Sequence, residues 1–344
     1  DEELNNLYII GNGFDLAHRL PTSYAHFAFH LYNNYLDDLY EFQDDISYEK
    51  FVRTPKEILE YVKDNVWDIQ YDEVIDDIQP GSYKEELIKG FAGFLYYISD
   101  CKLWSDFENS LGKIDYHMVF DNIEEVIREE IGDIVDAEGD RDIRWYKDIL
   151  ESGTRSWGYT VYEFKEVFRE WIATVNVDKD RKKERFSNYL NENKGHFINF
   201  NYTETLQKVY GVQNWNVLHI HGFRNIAGDE IIVGHRAGEI KYESYITDYD
   251  ENAYRLHEGL RKDVQLDELK KFLDDHENMD NIVCIGFSFG DSDDEYIHAL
   301  IGHTKTSNAT WVLNEYDKNE VAEQSRKLQK FGIDPSKITS QKIL

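Results

Sequence analysis

At 344 residues, with 41 % hydrophobic and 15 % aromatic residues, the chain has room for two or three domains and is too apolar for global disorder. A formal charge of −30 at pH 7 repels phosphate backbones, which speaks against sequence-independent binding of nucleic acid. Two cysteines, Cys101 and Cys284, exclude a disulfide framework and a four-cysteine zinc site.

The first apolar run, Leu7–Ile10, reads as a strand buried on both faces, as in a parallel sheet. Gly11-Asn12-Gly13-Phe14-Asp15 follows it, with two glycines that permit a sharp turn and a close approach to a ligand. A helical pattern begins after Leu20-Pro21-Thr22-Ser23. Strand, glycine turn and helix start together suit an anion, although Leu16 stands where a dinucleotide fingerprint has its third glycine. The region from about 30 to 190 carries helical periodicity, at Glu57–Trp67, Tyr83–Ile98, Ile123–Val135 and Val161–Val175. The basic run Lys179–Arg185 is interrupted by Asp180 and Glu184 and reads as a solvated helix face or loop.

Strand-like runs then return at Phe197–Phe200, Val217–Ile220, Ile231–Val233, Ile282–Ile285 and Thr310–Leu313. Helices are expected at Leu266–Leu273, Ser292–Leu300 and Asp317–Phe331. Cys284 lies inside an apolar run and reads as a small buried hydrophobe. The pattern predicts an α/β domain with a Rossmann-like parallel sheet, formed by residues 1–30 plus 191–344 and split by a helical insertion at 31–190. No run approaches the roughly 20 apolar residues of a membrane span, and the acidic start is no secretion signal, so a cytoplasmic setting is expected.

Ligands of open α/β sheets bind beyond the carboxyl ends of the strands, where polar residues of interest should therefore fall. They do so at Gly11–Asp15, Asn201-Tyr202-Thr203, His219-Ile220-His221-Gly222, Gly286–Asp291 and Asn314. Each has a plainer reading. Asn201 suits a turn or helix cap, and Asp15 suits the first turn of a helix. His219 and His221, two apart on a strand, would share a side, but no third ligand accompanies them and no metal is expected. Gly286-Phe287-Ser288-Phe289-Gly290 spells a hydrolase elbow, yet only His298 and His303 follow it, close to the same helix, so Ser288 is not expected to act as a nucleophile.

In combination these segments resemble the AbiH family of phage abortive-infection proteins and, through it, the sirtuin-like NAD-binding superfamily. The resemblance rests on Ile9–Asp15 with Leu20–Tyr24, Phe200-Asn201-Tyr202, His221-Gly222 and Ile285–Asp291, together with Trp104–Glu108 in the insertion. It covers both ends of the chain and little of the middle. It implies a sirtuin-like sheet that binds NAD, with Gly11, Asn12, Gly13, Phe14 and Asp15 at the pyrophosphate and ribose. Gly286, Ser288 and Asn314 would hold the adenosine half, and Asn201 and His221 would be the catalytic pair. Departures are Asn199 and Thr203 beside the Asn-Tyr pair, Tyr24 in place of an arginine, and the absence of zinc-binding cysteines, which argues against deacylation.

Cleavage of the nicotinamide–ribose bond passes through an oxocarbenium-like state and gains from a positioned water and desolvation. Asn201 can fix a water or ribose hydroxyl, and His221 can accept a proton near neutral pH. The expected activity is NAD hydrolysis by an antiphage effector; the alternative is a module that binds NAD or ADP-ribose without turnover. The expected partners are NAD or a related nucleotide, with self-association or a phage-derived trigger as means of control.

Overall fold

A computed structural model describes residues 4–36, 104–113, 157–238 and 248–344, with residues 47, 49 and 137–139 besides. The chain divides into two compact units: residues 1–23, 172–232 and 262–344 form the first, and residues 24–171 and 233–261 the second.

The first unit is built on a six-stranded sheet: β1 (Asn6–Ile10), β2 (Gly195–Asn199), β3 (Val217–His219), β4 (Asn281–Ile285), β5 (Thr310–Asn314) and β6 (Ile338–Gln341), in the order β3-β2-β1-β4-β5-β6. Every pairing is parallel; β1 lies between β2 and β4, with Tyr8 opposite Phe197 on one side and Val283 on the other. This is the strand order of dinucleotide-binding α/β sheets, whose direction of winding reverses between β1 and β4.

Alternation sends Leu7, Ile9, Ile198, Ile282, Cys284 and Trp311 to one face. There they meet α8 (Leu266–Asp274) through Leu269 and Leu273, α9 (Asp294–Gly302) through Tyr296, Ile297 and Leu300, and α10 (Lys318–Lys330) through Leu328. Tyr8, Ile10, Phe197, Val283 and Ile285 fill the other face with Phe14 of α1 (Asn12–Ala17), Phe186 of α5 (Glu184–Glu192) and Leu206 of α6 (Thr205–Tyr210). A sheet apolar on both faces and covered by helices on both is what continuous apolar runs specify. Burial pushes the Cys284 thiol up, so it packs as a hydrophobe.

Five of the expected strands are present. Ile231–Val233 is irregular chain instead, buried at Ile231 and Val233, and it does not extend the sheet. The sixth strand, β6, has exposed or half-exposed residues throughout, so no apolar run announces it. Among the described residues, none of the strands falls between 11 and 194.

The second unit contains α2 (Tyr24–Leu31) continuing into a π-helical turn at Tyr32–Leu36, α3 (Trp104–Leu111), α4 (Trp157–Thr174) up to Trp171, and α7 (Asp248–Gly259). Phe27 packs its ring 5.2–5.7 Å from Phe164, Phe168 and Trp171, all buried. Aromatic residues at helical spacing thus form a core here. Buried Glu108, of the Trp104–Glu108 segment, accepts from Gly234 N–H. Glu57–Trp67, Tyr83–Ile98 and Ile123–Val135 lie outside the described residues.

Candidate functional site at the carboxyl edge of the sheet

The turns after β1 and β4 are locked to each other. Gly11 N–H donates to Ile285 O at 3.1 Å and Gly13 N–H to Gly286 O at 2.9 Å. A Cβ on Gly11 would stand 2.4 Å from Gly286 O, and one on Gly286 2.1 Å from Phe14 N; Gly286 also has φ +62°. The close approach that these glycines permit is therefore backbone to backbone, across the point where the sheet reverses. Both amides are spent on it, so the Gly11–Gly13 turn does not offer them to a phosphate in this conformation. Phe14 is buried in the core, and Asn12 donates from Nδ2 to Thr22 O at 2.9 Å, closing the loop into Leu20-Pro21-Thr22.

Asp15, 1 % exposed, accepts from the Thr203 hydroxyl at 2.5 Å and the Thr205 hydroxyl at 2.7 Å. Burial pushes its carboxyl up to about 6 against the opposing pull of the two hydroxyls. It ties α1 to the segment after β2. Asn201 donates from Nδ2 to Gly11 O at 3.0 Å, and its own N–H donates to Asn199 Oδ1 at 3.0 Å. Asn314 accepts at Oδ1 from Ile343 and Leu344 N–H, at 3.0 and 2.9 Å, which fastens the segment after β6. Ser288 is exposed between buried Phe287 and Phe289. Phe289 has φ +56°, an uncommon conformation for a bulky residue; Lys327 Nζ donates to its carbonyl at 2.6 Å and Gln324 Nε2 to Phe287 O at 3.1 Å.

His219 and His221 do not share a side. β3 ends at His219 and a turn follows, so the alternation of a strand no longer applies. His219 stacks on Phe223 at 4.0 Å and binds Asn201 O and Gln207, whereas His221 packs among Phe200, Tyr202 and Tyr296 at 5.1, 6.5 and 6.0 Å. Gly222, with φ +96°, lets the chain turn beside Glu230 O, and His221 O accepts from Ile232 N–H at 2.9 Å.

The His221 side chain is 4 % exposed, and its Nε2 is enclosed with no hydrogen-bond partner. Burial, aided by the Lys262 ammonium, holds the imidazole well below its usual range, so it is neutral near pH 7. Lys262 pairs with Asp293 at 3.1 Å, the residues being 2 % and 7 % exposed. A buried ion pair beside a neutral imidazole with a free nitrogen is the polar centre of this face. The sequence points to His221 and misses its surroundings: Lys262 lies in a charged stretch like any solvated lysine, and Asp293 reads as a helix-start acid. Among the described residues, no group of three or more His, Cys, Asp and Glu side chains could hold a metal, and no helix is long and apolar enough to cross a membrane.

Strand order, helices on both faces and polar residues along the carboxyl edge define an α/β protein of the doubly wound, Rossmann-like class. The family model for bacteriophage abortive infection AbiH matches residues 7–315, spanning the β1 turn, Asn201, His221 and the late glycine turn. The chain belongs to that family. No curated protein and no solved structure matches it.

Proposed function

We propose that this AbiH protein acts in phage abortive infection by binding NAD over the carboxyl edge of the sheet, in a sirtuin-like manner, and hydrolysing it to nicotinamide and ADP-ribose. The observation that carries the reading is His221: an enclosed, neutral imidazole with an unpartnered Nε2 at a strand end of a sheet in the dinucleotide-binding order. Buried polar atoms are nearly always satisfied, and an exception in a native fold points to a missing partner. In the reaction the ribose–nicotinamide C–N bond breaks and a bond forms from water oxygen to the same carbon. The proton released by that water passes to His221. The buried Lys262 ammonium, paired with Asp293, helps to keep the His221 imidazole neutral and so free to take up that proton.

Binding without turnover is the second reading. It is favoured by the internal engagement of the Asn201 amide, the expected catalytic group, whose Nδ2 already donates to Gly11 O. Incubation of the purified chain with NAD, with nicotinamide followed by chromatography, separates the two. Hydrolysis predicts release by the wild type and a loss of about 10²–10³-fold in His221→Ala and Asn201→Ala with NAD affinity largely kept. Binding with no release leaves the sensor reading, and no binding overturns both.

A further inference from the structure

A second site lies within the sheet unit, away from the strand reversal. A cavity of about 770 Å³ runs along the free edge of β3, lined by Lys179, Lys208, Gln207, His219, Phe223 and Ile226 among others. That volume is in the range of small-molecule sites, roughly 300–1,000 Å³.

Its lining carries two lysines, Lys179 and Lys208, and two acids, Glu204 and Asp229. Among the described residues it is the lysines that are left without a partner, in a chain of formal charge −30. The acids on the lining are engaged: Glu204 receives two hydrogen bonds from Arg224 at 2.7 Å, and Asp229 Oδ2 accepts from Phe223 N–H at 2.7 Å.

Its hydrogen-bond inventory is incomplete in one place. His219 Nδ1 lies 2.9 Å from Asn201 O, an acceptor, so Nδ1 carries the proton. Nε2 then accepts from Gln207 Nε2 at 2.9 Å, which fixes the orientation of that amide. Gln207 Oε1 is left enclosed and without a donor. Burial holds His219 down to about 4, so the ring stays neutral and this polarity does not reverse near pH 7. The ligand must therefore bring an N–H or O–H donor for Gln207 and negative charge for the lysines. An apolar body suits Ile226, which is 55 % exposed, whereas Phe223 is buried and already stacked on His219.

We propose that this cavity binds a nucleoside phosphate, with the base against Ile226, a base N–H on Gln207 Oε1 and the phosphate between Lys179 and Lys208. The site does not depend on NAD binding or cleavage at the strand reversal.

The experiment is calorimetric titration of the full-length chain with AMP, adenosine and inorganic phosphate. Lys179→Ala/Lys208→Ala and Gln207→Leu are compared with Lys318→Ala/Lys330→Ala, which removes the same charge elsewhere on the surface. Wild type and the control should bind AMP alike, and the lysine pair and the Gln207 variant should each weaken it by about tenfold or more. Adenosine should bind at least about tenfold more weakly than AMP, because it lacks the charge-assisted contacts. His221→Ala should keep AMP binding whether or not NAD is cleaved, so failure here and failure of the NAD reading are distinguishable. Absence of AMP binding by wild type, equal binding by the two lysine-pair variants, or phosphate binding as tightly as AMP overturns the proposal.

Discussion

Replacing Asp15 by asparagine tests what that buried acid does. In the unfolded chain its carboxyl ionises near 3.8 and in the folded chain near 6, because burial outweighs the hydrogen bonds from Thr203 and Thr205. Between those values the folded state binds more protons than the unfolded one, so this group's contribution to stability falls as pH rises. Above pH 6 the whole penalty is present: about two pH units at about 1.4 kcal/mol each, or about 3 kcal/mol. An amide keeps the geometry, accepting from one threonine hydroxyl and donating to the other, since the Thr203 and Thr205 hydroxyls lie 3.1 Å apart and can exchange donor roles. Asp15→Asn should thus gain on the wild type by up to about 3 kcal/mol between pH 4 and pH 7.5, with most of the change complete by pH 6.5. Urea titrations of both proteins at four pH values measure it, and taking the difference cancels every other titrating group. A gap that stays constant with pH, or one that moves in favour of wild type as pH rises, refutes the argument. Asp15→Ala should lose stability at every pH, since two buried hydroxyls then lack their acceptor.

Gly286→Ala should fail to fold or lose several kcal/mol, because its Cβ would lie 2.1 Å from Phe14 N, whereas Gly211→Ala, with φ +72° and nothing within 4 Å, should lose only about 1–2 kcal/mol. Thermal unfolding of the two variants checks this, and equal losses would show that the interlock between turns is not what Gly286 is for. Arg19→Gly should raise the melting temperature slightly, by relief of about 1 kcal/mol at an exposed residue with φ +59°; a lowered value contradicts it. Lys262→Met should destabilise by about 3–5 kcal/mol, by leaving the Asp293 carboxylate buried without its cation, and Lys262→Met/Asp293→Asn should recover most of that loss in urea unfolding.

The sheet was legible because its strands are short, apolar on both faces and followed by polar or glycine residues, as at Leu7–Ile10 and Ile282–Ile285. β6 was hidden because Ile338-Thr339-Ser340-Gln341 is an edge strand with little buried surface. Ile231–Val233 misled for the converse reason, since an apolar run says that residues are buried and not that they pair. At the site, His221-Gly222 and Asn201 were readable as polar residues at strand ends. The partners that give them character were not: Lys262 and Asp293 meet from segments 31 residues apart, and Thr203 and Thr205 reach an acid nearly 190 positions earlier. Local pattern carries no information on such pairings.

The glycines show why a nucleotide motif and a packing motif look alike in a sequence. A chain written Gly-x-Gly after a buried strand reports only that something must come close to its backbone. Here that something is the second glycine turn, and once the Gly11 and Gly13 amides have bonded to Ile285 and Gly286 the two turns behave as one rigid corner. A ligand at the strand reversal then has to lie against this corner rather than inside it. The groups able to hold such a ligand are those with capacity left over, and these are not the glycines. Among them are His221 Nε2, just past the end of β3, and Thr22 Oγ1, in the loop that Asn12 holds; Gln207 Oε1, at the separate edge cavity, is likewise enclosed and without a partner. His221 and Gln207 are both linked to the segment after β2: His221 packs its ring against Phe200 and Tyr202, and Gln207 bonds His219, whose Nδ1 donates to Asn201 O. Asn201 in turn holds Gly11. Its segment therefore joins the corner, the imidazole and the edge cavity, but through different atoms: Asn201→Ala removes only the Nδ2 bond to Gly11 O and keeps the carbonyl that holds His219, so it should leave AMP binding at the edge cavity unchanged, while Gln207→Leu should weaken it.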